Sequence, residues 1–585
     1  MVKILTRSML DESKKNSETS PFKFVEPRQS IEIHLPDERV ITGPRGATTG
    51  EFLVALEEEF DVTIVGAVVN GSLRELTFPL EYDSLVRPIT MRDADGMRFY
   101  RRSLTFLLET AFHQLFPKAI LAIDHSVASG GYFCQVFNSP SLEKSDLDKL
   151  EVRMRELVSA DLPFVREKVP LDEAIAYFEK KGYEDKIRLL EHRQKEYLIL
   201  YKMGDHRDYH HGYMVPSSGY LQWFRLTPLG DGFVMQFPRR HLPTDILPLP
   251  DYRTLVNTFR QYGDWLQRLG IDNVGTLNQA IREKRSREVI LISEALHEGR
   301  ISEIASQIYE RLNEIRVVLI AGPSSSGKTT FSKRLTVQLL ARGISPFPLE
   351  MDKYFVDREE TPLDENGEFD FETIKAVNTK MLGEDIQRLI AGERVQLSHY
   401  DFKTGMSSPG EVVQLRPGQI IILEGIHGLN PELIPNIPSE QTFRIYASAL
   451  TQLNLDWHNR VSTTDTRLIR RIVRDARERG YSAQDTIKRW ESVRRGEKRY
   501  IFPYQDNADV MFNSALVYEL AALKPLALPE LRQVPFGTPE HVEAKRLLSL
   551  LEWFQPIDVS VIPDNSLLRE FIGTSILKGL KIWAN

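Results

Sequence analysis

Residues 316–335, RVVLIAGPSSSGKTTFSKRL, leave the least freedom in what this 585-residue chain can fold into. The apolar run VVLIAG leads into Gly322, four residues separate it from Gly327, and Lys328 and Thr329 follow. This order predicts a buried strand, a glycine-bounded loop and the first turns of a helix. The two glycines let successive backbone N–H groups turn inward, and with the helix N-terminus they make a concave anion site. In the spacing GxxxxGK(S/T), the residues Gly322, Ser324, Ser325, Ser326, Gly327, Lys328, Thr329 and Thr330 are expected to cradle nucleotide phosphates. Lys328 would reach the outer phosphates as a point charge, and the Thr329 hydroxyl would sit on Mg²⁺.

The rest of the chain must be more than this one unit, since its length suggests about three or four domains. A net charge of −7 argues against a surface built to coat nucleic acid. Cys134 is the single cysteine, which excludes an intramolecular disulfide framework and suits a reducing, cytoplasmic setting. The N-terminal stretch has no apolar core followed by a small-residue cleavage site, and no stretch approaches a membrane span, so no membrane partner is expected. Internal repeats and low-complexity tracts are absent from the sequence.

Residues 1–29 are polar and mixed in charge, a flexible lead-in. SIEIHLPDERVI then alternates as a half-buried strand, TTGEFLVALEEEF has helical spacing behind a Thr cap, and TIVGAVVNGSLREL is predicted to be a hairpin around Asn70-Gly71. This order over 30–92 resembles a TGS domain, the small ubiquitin-like module of threonyl-tRNA synthetases. RRSLTFLLETAFHQLFPKAILAI, SGGYFCQVF and DYHHGYMVPSSGYLQWFRL, within 93–249, resemble the editing-type second domain of the same synthetases. Where that family places its metal-site positions, this chain has Arg102, Phe106, His210 and Met214, a set that cannot converge on a metal, so the inherited site is expected to be dead. His206, His210 and His211 lie among turn-forming residues, where HxxxH does not imply one helical face. Arg101, Arg102, His206, Arg207 and His210 are candidates for a retained groove toward RNA, tRNA or a nucleotide. Residues 250–315 carry apolar positions at helical spacing and are expected to connect the halves.

Beyond the phosphate loop, FPLEMDKYFVDRE and QIIILEGIHGL each read as an apolar strand followed by a carboxylate, Asp352 and Glu424. TDTRLIRRIVRDARERGYSAQD supplies a basic helix, and Arg494, Arg495, Lys498 and Arg499 extend its field. These segments, with YDFKTG at 400–405, resemble uridine kinases of the phosphoribulokinase/uridine kinase family. The resemblance implies an α/β P-loop kinase domain over 316–514, a parallel sheet with flanking helices, preceded by the α+β TGS and synthetase-like domains. It implies ATP and Mg²⁺, with Asp352 accepting the proton of an attacking hydroxyl, Thr329, Glu424 and Asp352 on the metal, and Lys328, Arg471 and Arg474 on the transferring phosphoryl. On the nucleoside side it implies Tyr354, Tyr400, Asp401 and Arg479. Gly405 stands where the family commonly has a base-contacting His, and Lys375 near its sugar-binding Asp, so the acceptor is left open among nucleosides and other hydroxyl compounds. The guanine-reading pattern (N/T)KxD is missing, NTKM at 378–381 being the nearest match, which favours ATP over GTP. Residues 515–585 form a C-terminal extension in which EHVEAKRLLSLLEWF is an amphipathic helix, and IPDNSLLREFIG resembles a segment of bacterial kinases carrying the same N-terminal modules. The expected partners are a small nucleoside and, through the N-terminal half, RNA; a homo-oligomer is compatible with the sequence.

Overall fold

The computed structural model describes residues 25–127, 130–249, 253–365, 367–451 and 453–580, so residues 1–24 of the expected lead-in lie outside the described residues. Five strands, Val317–Ala321, Pro346–Glu350, Ile420–Glu424, Thr442–Ser448 and Val510–Asn513, form a sheet in which every neighbouring pair is parallel. Val317–Ala321 is central, between Ile420–Glu424 and Thr442–Ser448, and all five of its side chains are buried. Parallel strands covered on both faces read as unbroken apolar runs, which is why VVLIA and IIIL show no alternation. The helix Lys328–Leu340 returns from the phosphate loop and is backed by the long helix Ser286–Glu310.

The N-terminal half is α+β. Its first sheet has strands in the order Val40–Pro44, Ser30–His34, Ser84–Thr90, Ile64–Val69, Ser72–Arg74. SIEIHLPDERVI, expected to be one strand, is two: Ser30–His34 pairs antiparallel with Val40–Pro44 across a turn that puts Glu38 at φ 69°. Pro36, with no N–H to donate to a ladder, stands in that turn. The hairpin at Asn70-Gly71 forms as expected, with both turn residues left-handed at φ 46° and 74°. Thr48 caps the following helix in a capping box with Glu51. A four-stranded antiparallel sheet and a three-stranded one follow, and the long helix Ala94–Leu115 contributes to the core around them.

The two halves are not beads on a linker. One apolar cluster contains Phe178 and Tyr209 from the N-terminal half, Leu277 and Ile304 from the connecting helices, Phe331 and Phe512 around the parallel sheet, and Trp553 near the C-terminus. Residues 454–460, on the loop after the strand Thr442–Ser448, reach into the N-terminal half. Ile123 N donates to Trp457 O at 2.7 Å, Trp457 N to Asp185 Oδ2 at 2.9 Å, and Asn454 Nδ2 to Ile123 O at 3.1 Å. Among the described residues no helix is long and apolar enough to cross a membrane.

Candidate functional site

The phosphate loop leaves the central strand at Gly322 and enters its helix at Gly327, whose φ of 83° is left-handed. A Cβ at Gly322 would collide with the Ala447 carbonyl oxygen, and one at Gly327 would lie 2.5 Å from Leu567 Cδ2. Glycine is therefore required at both ends. Lys328 Nζ donates to Pro323 O at 3.2 Å, folding its ammonium over the loop. Thr329 Oγ1 donates to Glu424 Oε1 at 3.1 Å, which joins the loop to the acid at the end of the neighbouring strand. The Ser325 and Ser326 hydroxyls are buried without a hydrogen-bond partner among the described residues. Buried hydroxyls facing an anion cradle, beside an oxygen-only pair, fit a nucleoside triphosphate with a hard divalent cation.

Other carboxylates crowd this cradle. Burial pushes the Glu424 carboxyl up to about 7 against the pull of Lys328, with Glu570 and Asp352 adding to the rise. Asp352 follows the strand Pro346–Glu350 and opens to solvent; the surrounding protein still raises its carboxyl, while Lys328 and Arg479 oppose that rise. Glu372 is likewise driven up to about 7, first by burial and then by Glu497, with Arg471 and Lys328 opposing. The sequence reading missed Glu372, although the acidic-aromatic run FDFE that holds it was a signal. It also missed two carboxylates that accept backbone N–H groups of the loop: Glu497 Oε1 from Ser324 N and Glu570 Oε2 from Thr330 N, each at 3.1 Å.

The basic helix Thr463–Glu478, capped by Ser462, divides its arginines between two duties. Arg467 and Arg470 are structural. Arg467 donates to Ser324 O at 2.8 Å and pairs with Glu497; Arg470 is fully buried and donates to Glu519 Oε2 at 2.6 Å and Ser514 O at 2.8 Å. The outward set converges on the buried Asp475: Arg471 at 3.2 Å, Arg474 at 3.0 Å and Arg479 at 3.6 Å. Arg471 also donates to Ser324 Oγ at 3.0 Å, so one of these guanidiniums already rests on the phosphate loop.

The expected acceptor side is less coherent. Tyr354 is fully buried and gives its hydroxyl to Asp385 Oδ2 at 2.9 Å, pointing into the core rather than toward a ligand. Tyr400 stands in an aromatic cluster with Phe355 and Phe402, its hydroxyl buried and unpartnered among the described residues. Asp401 caps the turn of the hairpin Val395–Asp401/Met406–Val413, accepting from Lys403 N at 2.8 Å.

In the N-terminal half, the four inherited metal-site positions do not converge as ligands. The Arg102 guanidinium donates to Tyr213 O, the Phe106 ring lies 5.2 Å from those of His206 and His210, and Met214 is in the core. His206 lies on the strand His206–Tyr209, not a helix. A different group forms beside it: Glu109, Asp208 and His458 bring ligand atoms within 4.8 Å of one another. Cations of the chain itself are present there. Lys186 Nζ is 3.1 Å from Asp208 and 3.3 Å from Asp456, while His458 Nδ1 is 2.8 Å from Asp208 and 3.4 Å from Glu109. Burial opposes charge on His458, but the Glu109 and Asp208 carboxylates prevail and raise its imidazole to about 9. With the Lys186 ammonium and the His458 imidazole already meeting these carboxylates, the group is a buried ion network joining the halves.

Residues 317–521 match the model of the phosphoribulokinase / uridine kinase family. The N-terminal region resembles threonyl-tRNA synthetase domains. The threonine–tRNA ligase of a Polaromonas species is 31% identical over 204 residues, which are 35% of this chain and 32% of that protein. That of Methylobacillus flagellatus is 33% identical over 204 residues, 34% of this chain and 32% of the relative. The chain thus spans about a third of the length of the curated relatives it matches. Among solved structures, a "possible uridine kinase" from Bacillus stearothermophilus aligns at 19% identity and a TM-score of 0.23, over 35% of this chain and 99% of that one. D-glycerate 3-kinase from Cryptococcus neoformans aligns at 14% identity and a TM-score of 0.21, over 43% of this chain and 87% of that one. The C-terminal region has the P-loop kinase fold.

Proposed function

We propose that this chain is an ATP-dependent kinase that phosphorylates the hydroxyl of a small molecule, in the first instance the 5′-OH of a nucleoside such as uridine or cytidine. The observation that carries the reading is the 3.1 Å contact from the Thr329 hydroxyl to Glu424, which joins the phosphate loop to a strand-end acid. When bound, Mg·ATP supplies the phosphoryl group and neutralises its charge. Lys328 would draw the outer phosphates to the loop, and Thr329 with Glu424 would hold the cation. Asp352, its carboxyl raised from its ordinary value, takes the proton of the acceptor hydroxyl as that oxygen bonds to phosphorus and the bond to ADP breaks. Arg471 and Arg474 stabilise the equatorial charge and exclude water.

The likeness to threonine–tRNA ligases favours a second reading, in which the N-terminal half docks RNA and nucleotide binding acts as a switch. Both are tested by ATP consumption with Mg²⁺ across nucleosides, sugars, sugar acids and tRNA, with Lys328→Ala and Asp352→Asn as controls. Turnover driven by a nucleoside and lost in both variants supports the kinase. Turnover with a sugar acid alone moves the acceptor to another class. Silence with every small acceptor, with tight salt-sensitive tRNA binding, replaces the kinase reading by the switch.

A further inference from the structure

Between the two halves lies a cavity of ≈ 380 Å³, walled by the helix Ala94–Leu115 on one side and by Thr463–Glu478, Ala483–Tyr500 and Pro539–Leu551 on the other. Its volume suits a small molecule. Among the described residues ten arginine and lysine side chains line it with one carboxylate, Asp465, while Glu543, Glu491 and Glu497 pair with Arg98, Arg240 and Arg467 from behind the wall. Some of the ten are neutralised, as Arg546 is by two 2.7 Å bonds to Asp465. Arg101, Arg102, Arg460, Arg494 and Lys498 have no carboxylate at ion-pair distance among the described residues. Arg460 spends its Nε on Asp124 O at 3.0 Å and stacks over Tyr132. The Arg101 guanidinium lies over Phe237, 4.9 Å from the ring centroid, with its Nε buried and unpartnered among the described residues. The N-terminus of Thr463–Glu478 adds Ser462, Thr463 and Thr464 to the wall.

Crowding these five half-buried cations along one wall, none with a carboxylate beside it, is costly unless an anion joins them. Burial lowers Arg101 to about 10, with Arg494 and Arg98 adding to the fall. Lys498 drops to about 8, again by burial and then by Arg494 and Arg240. Guanidiniums stacked on aromatic rings, with hydroxyls and a helix N-terminus between them, match the linked phosphates of a small ligand.

We propose that this cavity binds a small anion carrying several linked phosphates, at a site separate from the phosphate loop. The two sites share a wall. Arg467 lines the cavity, donates to Ser324 O at 2.8 Å and pairs with Glu497, which itself accepts Ser324 N–H. An anion drawing on Arg467 would therefore be felt at the loop.

The test is calorimetric titration of the full-length protein with inorganic tripolyphosphate in low salt, for wild type, Lys328→Ala and the double variant Arg101→Gln/Arg494→Gln. Binding that persists in Lys328→Ala and weakens at least ~10-fold in the double variant is expected, with Lys498→Gln intermediate. The double variant should melt no lower than wild type without ligand, because removing two crowded cations relieves repulsion. Binding that disappears in Lys328→Ala and survives in the double variant confines tripolyphosphate to the phosphate loop and overturns the proposal. So does a large fall in the unliganded melting temperature of the double variant, which would make these arginines structural. A single-stranded RNA oligonucleotide that binds through the same residues where tripolyphosphate does not would overturn the ligand class.

Discussion

His458 offers the sharpest check on how the halves are joined. Its imidazole, 2.8 Å from Asp208 and 3.4 Å from Glu109, is raised from 6.5 to about 9 in the folded protein. A group whose folded value exceeds its unfolded one contributes stability fully below the unfolded value and loses it as pH rises through the folded one. The contribution is therefore complete below about pH 6.5 and gone above about pH 9. The shift corresponds to at most about 3 kcal/mol. The partner carboxylates act at the other end of the scale: burial opposes ionisation of Glu109, but His210 and His458 hold it low, so its share is lost only in acid. Urea unfolding followed by tryptophan fluorescence is a suitable assay, since Trp457 lies next to His458 in the joining loop. His458→Gln should cost up to about 3 kcal/mol more at pH 6, where it leaves the buried carboxylates undercompensated, than at pH 9.5. A gap between wild type and variant that stays constant from pH 6 to pH 9.5 would refute the reasoning.

Three further perturbations address the loop and its supports. Gly327→Ala should destabilise the protein by about 1–3 kcal/mol through strain at φ 83° and contact with Leu567, and should weaken ADP binding measured by calorimetry. Arg470→Met should cost about 3–5 kcal/mol in thermal or urea unfolding by stranding Glu519, whereas Arg470→Met with Glu519→Leu should recover most of that loss. Arg471→Ala should lower turnover by about 10²–10³ while ADP affinity changes little, because its charge matters most when the phosphoryl is in transit; equal losses in binding and turnover would contradict this.

What the sequence made legible follows from the range of the interactions involved. The phosphate loop, the acids at strand ends and the Asn70-Gly71 hairpin are local patterns, and each formed where expected. The fold-back at Pro36–Arg39 was hidden because alternation continued across the turn, so two short strands looked like one. Tyr354 invited a ligand role by following Asp352, but its side chain turns inward to Asp385. The basic helix was recognisable as basic, yet which arginines face inward depends on Glu497 and Glu519, carried by other helices. The contacts of Glu497 with Ser324 and Glu570 with Thr330 span 173 and 240 residues, and His458 meets Asp208 across 250, distances at which a single sequence carries no pairing signal.

The loop at 454–460 and the C-terminal contacts also bear on how such a protein can be cut or inherited. Residues 317–521 are a recognisable unit of descent, but they are not a unit of matter. A fragment with those ends would lose Glu570 from Thr330 and Leu567 from Gly327, and would turn Asp456, His458 and the inner face of a shared core toward water. Swapping that segment for the matching one of a relative would have to carry the joining loop and its partners in the other half together. Each half therefore constrains which changes the other can accept, even at positions remote from any substrate.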